Sequence, residues 1–297
     1  MNTRKGWRRV DGVLLLDKPT GMTSNAALQA ARRLFSAAKA GHTGTLDPLA
    51  SGLLPLCFGE ATKFAVDLLT ADKTYEADLL FGATTDTGDA DGNVVARHPV
   101  DFGPDDLEAA LARFRGPIRQ VPPMYSALKR DGKPLYQLAR QGIEVEREAR
   151  EVTVHQLQLL DFSVDCCRLR VACSKGTYIR SLAEDLGSAL GCGAHLTALR
   201  RVAVGALAVG DAVTLDQLAG HCEAERERWL LATDRLLQSL PAVDLDDEAA
   251  ARFVHGNPVD CLASPGNCRV YGLGRLLGLG QADGQGSLQP RRVVASA

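Results

Sequence analysis

GHTGTLDPLASGLLP, residues 41–55, packs three glycines and two prolines into fifteen positions. That many breakers preclude one regular element at its start, so the stretch reads as a shaped loop. Pro48 biases Asp47 away from helical backbone, and Gly41 and Gly44 permit tight turning on the approach to it. The loop can therefore hold the Asp47 carboxylate toward a cleft. Taken alone, an Asp before Pro is more commonly a turn or capping residue.

Working outward, Val10 to Asp17 reads as a strand. Thr23 or Ser24 then caps a helix with Ala27, Ala31, Leu34 and Phe35 on one face. Downstream, Tyr75, Ala77, Leu79 and Phe81 alternate as in a strand with one buried face. Pro104 opens a helix carrying Leu107, Leu111 and Phe114, which Gly116-Pro117 stops. From Val121 to Arg150 the chain is irregular, basic and dotted with Pro and Gly, with a short helix near Leu135 to Arg140; a loop-rich segment of this length is either functional or a wrong assignment. Val152 to Val164 and Cys167 to Cys173 read as a hairpin. Thr177 starts a helix with Ile179, Leu182, Ala183, Leu186 and Leu190 on one face, and Leu196 to Val202 returns as a strand. Helices are expected near Leu215 and from Glu223 to Leu237. Leu240-Pro241 looks like a boundary, followed by a short helix at Glu248 to Val254 and glycine-rich strands with the texture of a small β-barrel.

Apolar residues make up 45% of the 297-residue chain, enough for a large domain and a small one. The apolar run Val13 to Leu16 is too short for a signal segment, and no run is long enough for a membrane span, so a cytoplasmic protein without membrane attachment is expected. None of the eight cysteines forms a C-x-x-C pair and the histidines are scattered, which argues against a zinc site. The run DTGDADG, residues 86–92, superficially suggests a calcium loop, but the acidic spacing fails and no Glu closes it. The net charge of −2 does not mark a nucleic-acid binder. Its distribution is more telling: residues 1–39, Arg4 and Lys5 included, carry a net +6, and residues 113–150 a net +5. Such patches can supply phosphate contacts, although a solvated charged face would look the same.

Four ordered motifs turn these fragments into one reading. Residues 41–55 resemble the catalytic motif of the TruB family of tRNA pseudouridine synthases. DKPTGMTS, residues 17–24, is similar to that family's N-terminal motif. KTYEA, residues 73–77, is similar to the segment with its active-site tyrosine, and SKGTYIRSLAEDLG, residues 174–187, to the segment with its active-site arginine. PPMYSALK, residues 122–129, looks like the insertion with which the family pinches RNA. The Gly-Thr-Leu before Asp47 separates the chain from the ribosomal-type synthases, which carry H-R-L-D there.

The resemblance implies an isomerase that converts a T-loop uridine of tRNA, at position 55, to pseudouridine by base flipping, cleavage of the N1–C1′ bond and reattachment through C5. The net change is isomerisation, so no cofactor is expected. Asp47 would be the essential carboxylate, either attacking C1′ or removing the C2′ proton. Arg180 would keep it charged in a pocket where a lone carboxylate tends to protonate. Tyr75 would stack on the flipped uracil and Leu199 line the base pocket, though each also suits a core position. His42 would fill the space the base vacates. Lys18 would brace the loop or contact phosphate, and Lys129, Lys133 and Arg140 would grip RNA.

The implied fold is α/β (α+β), a long mixed, mainly antiparallel sheet with flanking helices. Residues 1–240 would form the catalytic domain, with an RNA-clamp insertion at about 121–150. Residues 241–297 would form a PUA-like RNA-binding module for the acceptor stem of tRNA. No obligate protein partner is implied. The rival readings are a non-catalytic RNA-binding or RNA-folding protein and a guide-RNA-dependent synthase of the same superfamily.

Overall fold

The computed structural model describes residues 6–130 and 132–295. Arg4 and Lys5 of the basic N-terminal patch lie outside the described residues. The expected hairpin forms from Arg150–Ser163 and Cys166–Cys173, paired antiparallel. Cys166–Cys173 also pairs Lys73–Phe81, whose alternation buries Ala77, Leu79 and Phe81. These strands extend into a ten-stranded sheet, in the order Leu230–Leu231, Gly12–Lys18, Ala50–Phe58, Ala194–Val204, Lys73–Phe81, Cys166–Cys173, Arg150–Ser163, Gly116–Gln120. Ala40–His42 and Leu207–Ala208 add short side pairings. The sheet is mixed and mainly antiparallel, as expected.

Three helices flank it where the apolar periodicity placed them. Ser24–Leu34 is capped by Thr23, whose hydroxyl accepts from the Ala26 N–H. Pro104–Ala112 buries Leu107 and Leu111. Ile179–Ala189 buries Ile179, Leu182, Ala183 and Leu186. No described helix is long and apolar enough to cross a membrane.

Ala50–Phe58 is a strand that the breaker count obscured. It runs between two cores, with Leu54, Leu56 and Phe58 in one and Leu53 and Cys57 in the other. A strand buried on both faces reads as a continuous apolar run and leaves no alternation to detect. Pro55 fits because of where its ring nitrogen points. Leu15, its cross-strand partner, turns its carbonyl away to accept from the Val213 N–H. Pro55 likewise faces away from the Gly12–Lys18 strand, where its carbonyl accepts from the Thr43 N–H at 3.1 Å, so its absent amide breaks no rung of the ladder between these strands.

The same strand makes the sheet's parallel contact, a seam of three residues in which Leu199, Arg200 and Arg201 lie opposite Ala50, Ser51 and Gly52. Across Ala194–Val204, Leu199 and Arg201 face Ala77 and Tyr75. The seam thus brings the end of the residue 41–49 loop against Tyr75, Leu199 and Arg201.

One expectation needs correction. Glu223 to Leu237 is not one helix: it divides into a helix at Glu223–Arg226, a 3₁₀ turn at Glu227–Trp229, a short strand at Leu230–Leu231 that completes the large sheet's edge, and a second 3₁₀ turn at Thr233–Leu237. Edge pairing with Val13 and Leu14 overrode local helix propensity. The tail forms the expected small β-module, a curled half-barrel of five strands in the order Ala242–Asp244, Gly266–Gly272, Arg275–Ala282, Ser287–Val293, Val259–Asp260. It encloses Phe253, Val270, Leu277 and Leu288.

Gly52 has φ +99°, and a Cβ there would stand 2.3 Å from the carbonyl oxygen and 2.8 Å from the amide nitrogen of Arg201. Both are backbone atoms of the seam and cannot rotate aside. Gly52→Ala should therefore lower stability by about 1–3 kcal/mol, read by urea unfolding. Unchanged stability would mean that the seam opens without cost.

Candidate active site

The 17–24 motif fixes the Asp47 loop from below. Ser24 Oγ donates to the Leu46 carbonyl at 3.0 Å and accepts from the Leu46 N–H at 2.8 Å. The Gly21 N–H donates to the Pro48 carbonyl at 2.7 Å. Lys18 is 0% exposed, and its ammonium donates to the carbonyls of Pro19 at 2.8 Å and Met22 at 2.6 Å. Of the two roles read for Lys18, bracing the loop is the one that its burial and these two hydrogen bonds suit. Burial lowers its pKa to about 8, against the attraction of Asp47.

Asp47 leaves this braced loop with its side chain 43% exposed, and Oδ2 lies 2.9 Å from Nη2 of Arg180. Arg180, in the first turn of the Ile179–Ala189 helix, is 5% exposed. Its Nη1 donates to the Thr87 carbonyl at 2.9 Å and its Nη2 to the Tyr125 carbonyl at 2.7 Å. Nε stands 3.6 Å from Oδ2 of the buried Asp89. A cation at a helix N-terminus opposes the helix dipole, and two carboxylates offset that here. Burial pushes the Asp47 carboxyl above its ordinary 3.8; Arg180 and, more weakly, Lys18 oppose this, while Asp89 adds to it.

A cavity of about 250 Å³ lies over this pair, lined by Asp47, Tyr75, Tyr178, Arg180, Leu199 and Arg201 among others. Burial raises the Tyr75 phenol, opposed by the charge of Arg201, so Tyr75 is neutral near pH 7. Tyr178 is held at the helix entrance by Gln120, whose amide donates to the Tyr178 carbonyl at 3.2 Å and accepts from its N–H at 3.1 Å.

Of the residues read from the sequence, Asp47, Tyr75, Arg180 and Leu199 converge on this cavity. His42 does not line it; it is half-buried in the Ala40–His42 strand, its Nδ1 lacks a partner, and burial lowers its pKa. Lys129 and Lys133 sit exposed on a two-stranded hairpin, and Arg140, also exposed, lies 5.6 Å from the Tyr136 ring. Only the root of their segment reaches the cavity, through Ser126 and Ala127.

Three site residues escaped the sequence reading. Asp89 lay inside the rejected calcium-like run, and its work is to face Arg180. Tyr178 is two residues before Arg180. Arg201 shares strand parity with Leu199, so an inward-facing arginine was the available signal. Among the described residues, no group of three or more His, Cys, Asp or Glu is arranged to hold a metal ion. The arrangement offers one carboxylate held by a guanidinium, a flat aromatic wall and an apolar one.

The profile "TruB family pseudouridylate synthase (N terminal domain)" matches residues 32–179. "tRNA pseudouridylate synthase B C-terminal domain" matches 180–242, and "Pseudouridine synthase II TruB, C-terminal" matches 241–294. Proteins named tRNA pseudouridine synthase B are similar along their whole length: that of Dechloromonas aromatica (strain RCB) is 61% identical over 100% of both chains, and that of Azoarcus sp. (strain BH72) is 59% identical over 97% of this chain and 96% of its own. Among solved structures, "Crystal Structure of a Cbf5-Nop10-Gar1 Complex" superposes with a TM-score of 0.73 at 26% identity, covering 95% of this chain and 84% of that one. On these matches, which span nearly every residue from the Asp47 loop to the last strand, the chain belongs to the TruB family of pseudouridylate synthases.

Proposed function

We propose that this protein is an isomerase that converts a uridine of tRNA to pseudouridine, acting in the T-loop at position 55, with Asp47, Tyr75 and Arg180 as its catalytic residues. The observation that carries the reading is the Asp47–Arg180 pair at 2.9 Å on a cavity that Tyr75 and Leu199 also line. Asp47 acts in one of two ways: it attacks C1′ or takes the C2′ proton. Either breaks the N1–C1′ bond and leaves the base free to turn. C5 then bonds to C1′ as the Asp47–C1′ bond breaks on the first route or the proton returns to C2′ on the second, the C5 proton is lost and N1 gains one. No redox equivalent or group donor enters this balance.

Access to the base requires flipping it out of its stack, which costs a few kcal/mol that contacts outside the pocket must offset. Lys129, Lys133 and Arg140 in the 121–150 segment, exposed and close in sequence to the cavity-lining Ser126 and Ala127, suit that purpose. Such a built-in clamp favours an enzyme that acts without a guide RNA. His42 and Leu199 are assigned to the neighbourhood of the flipped base. Residues 1–240 are taken as the catalytic domain and 241–297 as a PUA-like module that grips the acceptor stem by shape and phosphate charge. The tail's own sheet and core support that division.

Asp47→Asn, near-isosteric and uncharged, should slow single-turnover pseudouridine formation on an unmodified tRNA transcript by at least about 10²–10⁴-fold while tRNA binding stays nearly intact. Mapping the product should place it at position 55. A variant within tenfold of wild type, or a product elsewhere in the tRNA, counts against the assignment.

Asp47 must be ionised to act, and its pKa is raised, so activity falls as pH drops through that raised value. The acid limb of the single-turnover pH profile should therefore lie above the ordinary 3.8. A rate that holds constant down to pH 3.8 would contradict the raised carboxyl.

A further inference from the structure

Arg201 is one of the largest fully buried side chains in the protein, 1% exposed. Its Nε donates to the Leu53 carbonyl at 2.8 Å, which ties the side chain to the seam strand. Its Nη1 packs beneath the Asp47 loop, 3.5 Å from where a Cβ on Gly44 would stand. Its Nη2 is buried with no partner within hydrogen-bond distance, and the Tyr75 hydroxyl is the polar group beside the guanidinium. No carboxylate of the described residues lies within ion-pair distance of it, although surface arginines of the same sheet are paired: Arg200 with Asp17, Arg168 with Asp78 and Arg170 with Glu76. A buried cation with an N–H that no protein group meets is costly unless something else meets it. Arg201 lines the cavity beside Tyr75 and Leu199, so a base bound in that cavity would lie against its side chain.

Resting on the isomerase reading above, we infer that Arg201 is a catalytic residue that stabilises the uracil anion released when the N1–C1′ bond breaks. If Asp47 attacks C1′, a new O–C1′ bond forms as N1 departs with the electron pair. If Asp47 takes the C2′ proton, the C2′–H pair becomes a C1′=C2′ bond, and N1 again departs with its pair. Both routes leave one negative charge on the base, spread over N1, O2 and O4. A guanidinium N–H already desolvated and fixed by Leu53 meets that charge without reorganisation, which is the arrangement that makes electrostatic stabilisation large. Arg180 is committed to Asp47, Thr87, Asp89 and Tyr125, whereas Arg201 keeps an N–H for the base.

The test compares two leaving groups in otherwise identical tRNA, uridine and 5-fluorouridine. Fluorine withdraws electrons and stabilises the departing anion, so it replaces part of what Arg201 supplies. Single-turnover consumption of the starting nucleoside is the readout for both, because a C5–F carbon has no proton to lose. Arg201→Gln should slow consumption of uridine by about 10²–10³-fold and that of 5-fluorouridine by at least about tenfold less, with tRNA affinity unchanged. Arg201→Lys, which keeps a cation, should lose less on uridine while preserving that order, and it decides the matter by the same comparison if the Gln variant does not fold. Equal slowing of both nucleosides, or none, in an active enzyme overturns the role of Arg201 and leaves the isomerase reading standing. A wild-type protein that consumes neither nucleoside overturns that reading and this inference with it.

Discussion

The guanidinium of Arg180 is the joint on which the site depends. It meets the Asp47 carboxylate, the Thr87 carbonyl, the Asp89 carboxylate and the Tyr125 carbonyl, groups from the Asp47 loop, from the turn after residue 85 and from the root of the 121–150 segment. The arginine is 5% exposed and Asp89 7%, so this pair carries the desolvation. Removing one partner of a buried pair costs about 3–5 kcal/mol, because the other charge is left unanswered. Asp47 is held from the opposite side by Ser24 and the backbone of Gly21 and Pro48. Its position is thus fixed by elements far apart in sequence, which is what a reaction sensitive to carboxylate placement requires.

The parallel seam supplies the rest. It sets three residues of Ala194–Val204 beside Ala50–Gly52, and antiparallel pairing on the other edge sets Leu199 and Arg201 opposite Ala77 and Tyr75. Gly52 permits the close approach. One short contact thereby gathers a stacking wall, an apolar wall and a buried cation over a single carboxylate. The Tyr125 carbonyl adds a mechanical link, since the segment assigned to gripping RNA is hydrogen-bonded at its root to the arginine that holds Asp47.

What the sequence made legible follows from which interactions are local. The helix starting at Ser24 was readable because its cap lies one residue before it and its apolar face repeats on the helical period. The 150–173 hairpin was readable from alternation. Ala50–Phe58 was not, since burial on both faces erased the alternation and Gly52 and Pro55 looked like breaks. Leu230–Leu231 was hidden for the opposite reason: its pairing to Val13 and Leu14 spans more than two hundred residues. The site divides in the same way. Asp47, Tyr75 and Arg180 were visible through ordered motifs. Asp89 was not, because an acid in a Gly-rich turn has a local explanation, and the arginine that makes it matter is 91 positions away. Lys18 was seen, but its burial under the loop was not, because only the fold shows that its ammonium is spent on two carbonyls.

The site depends on Arg180 holding Asp47 both placed and ionised. The most direct measurement is the single-turnover pH–rate profile of Arg180→Gln beside that of the wild type, on a pre-folded tRNA stem-loop. Removing the cation that opposes burial should slow the reaction by at least about 10²-fold and move the acid limb to higher pH. A variant with a near-normal rate and an unmoved limb would show that Asp47 does not depend on Arg180, and the site as described would be wrong.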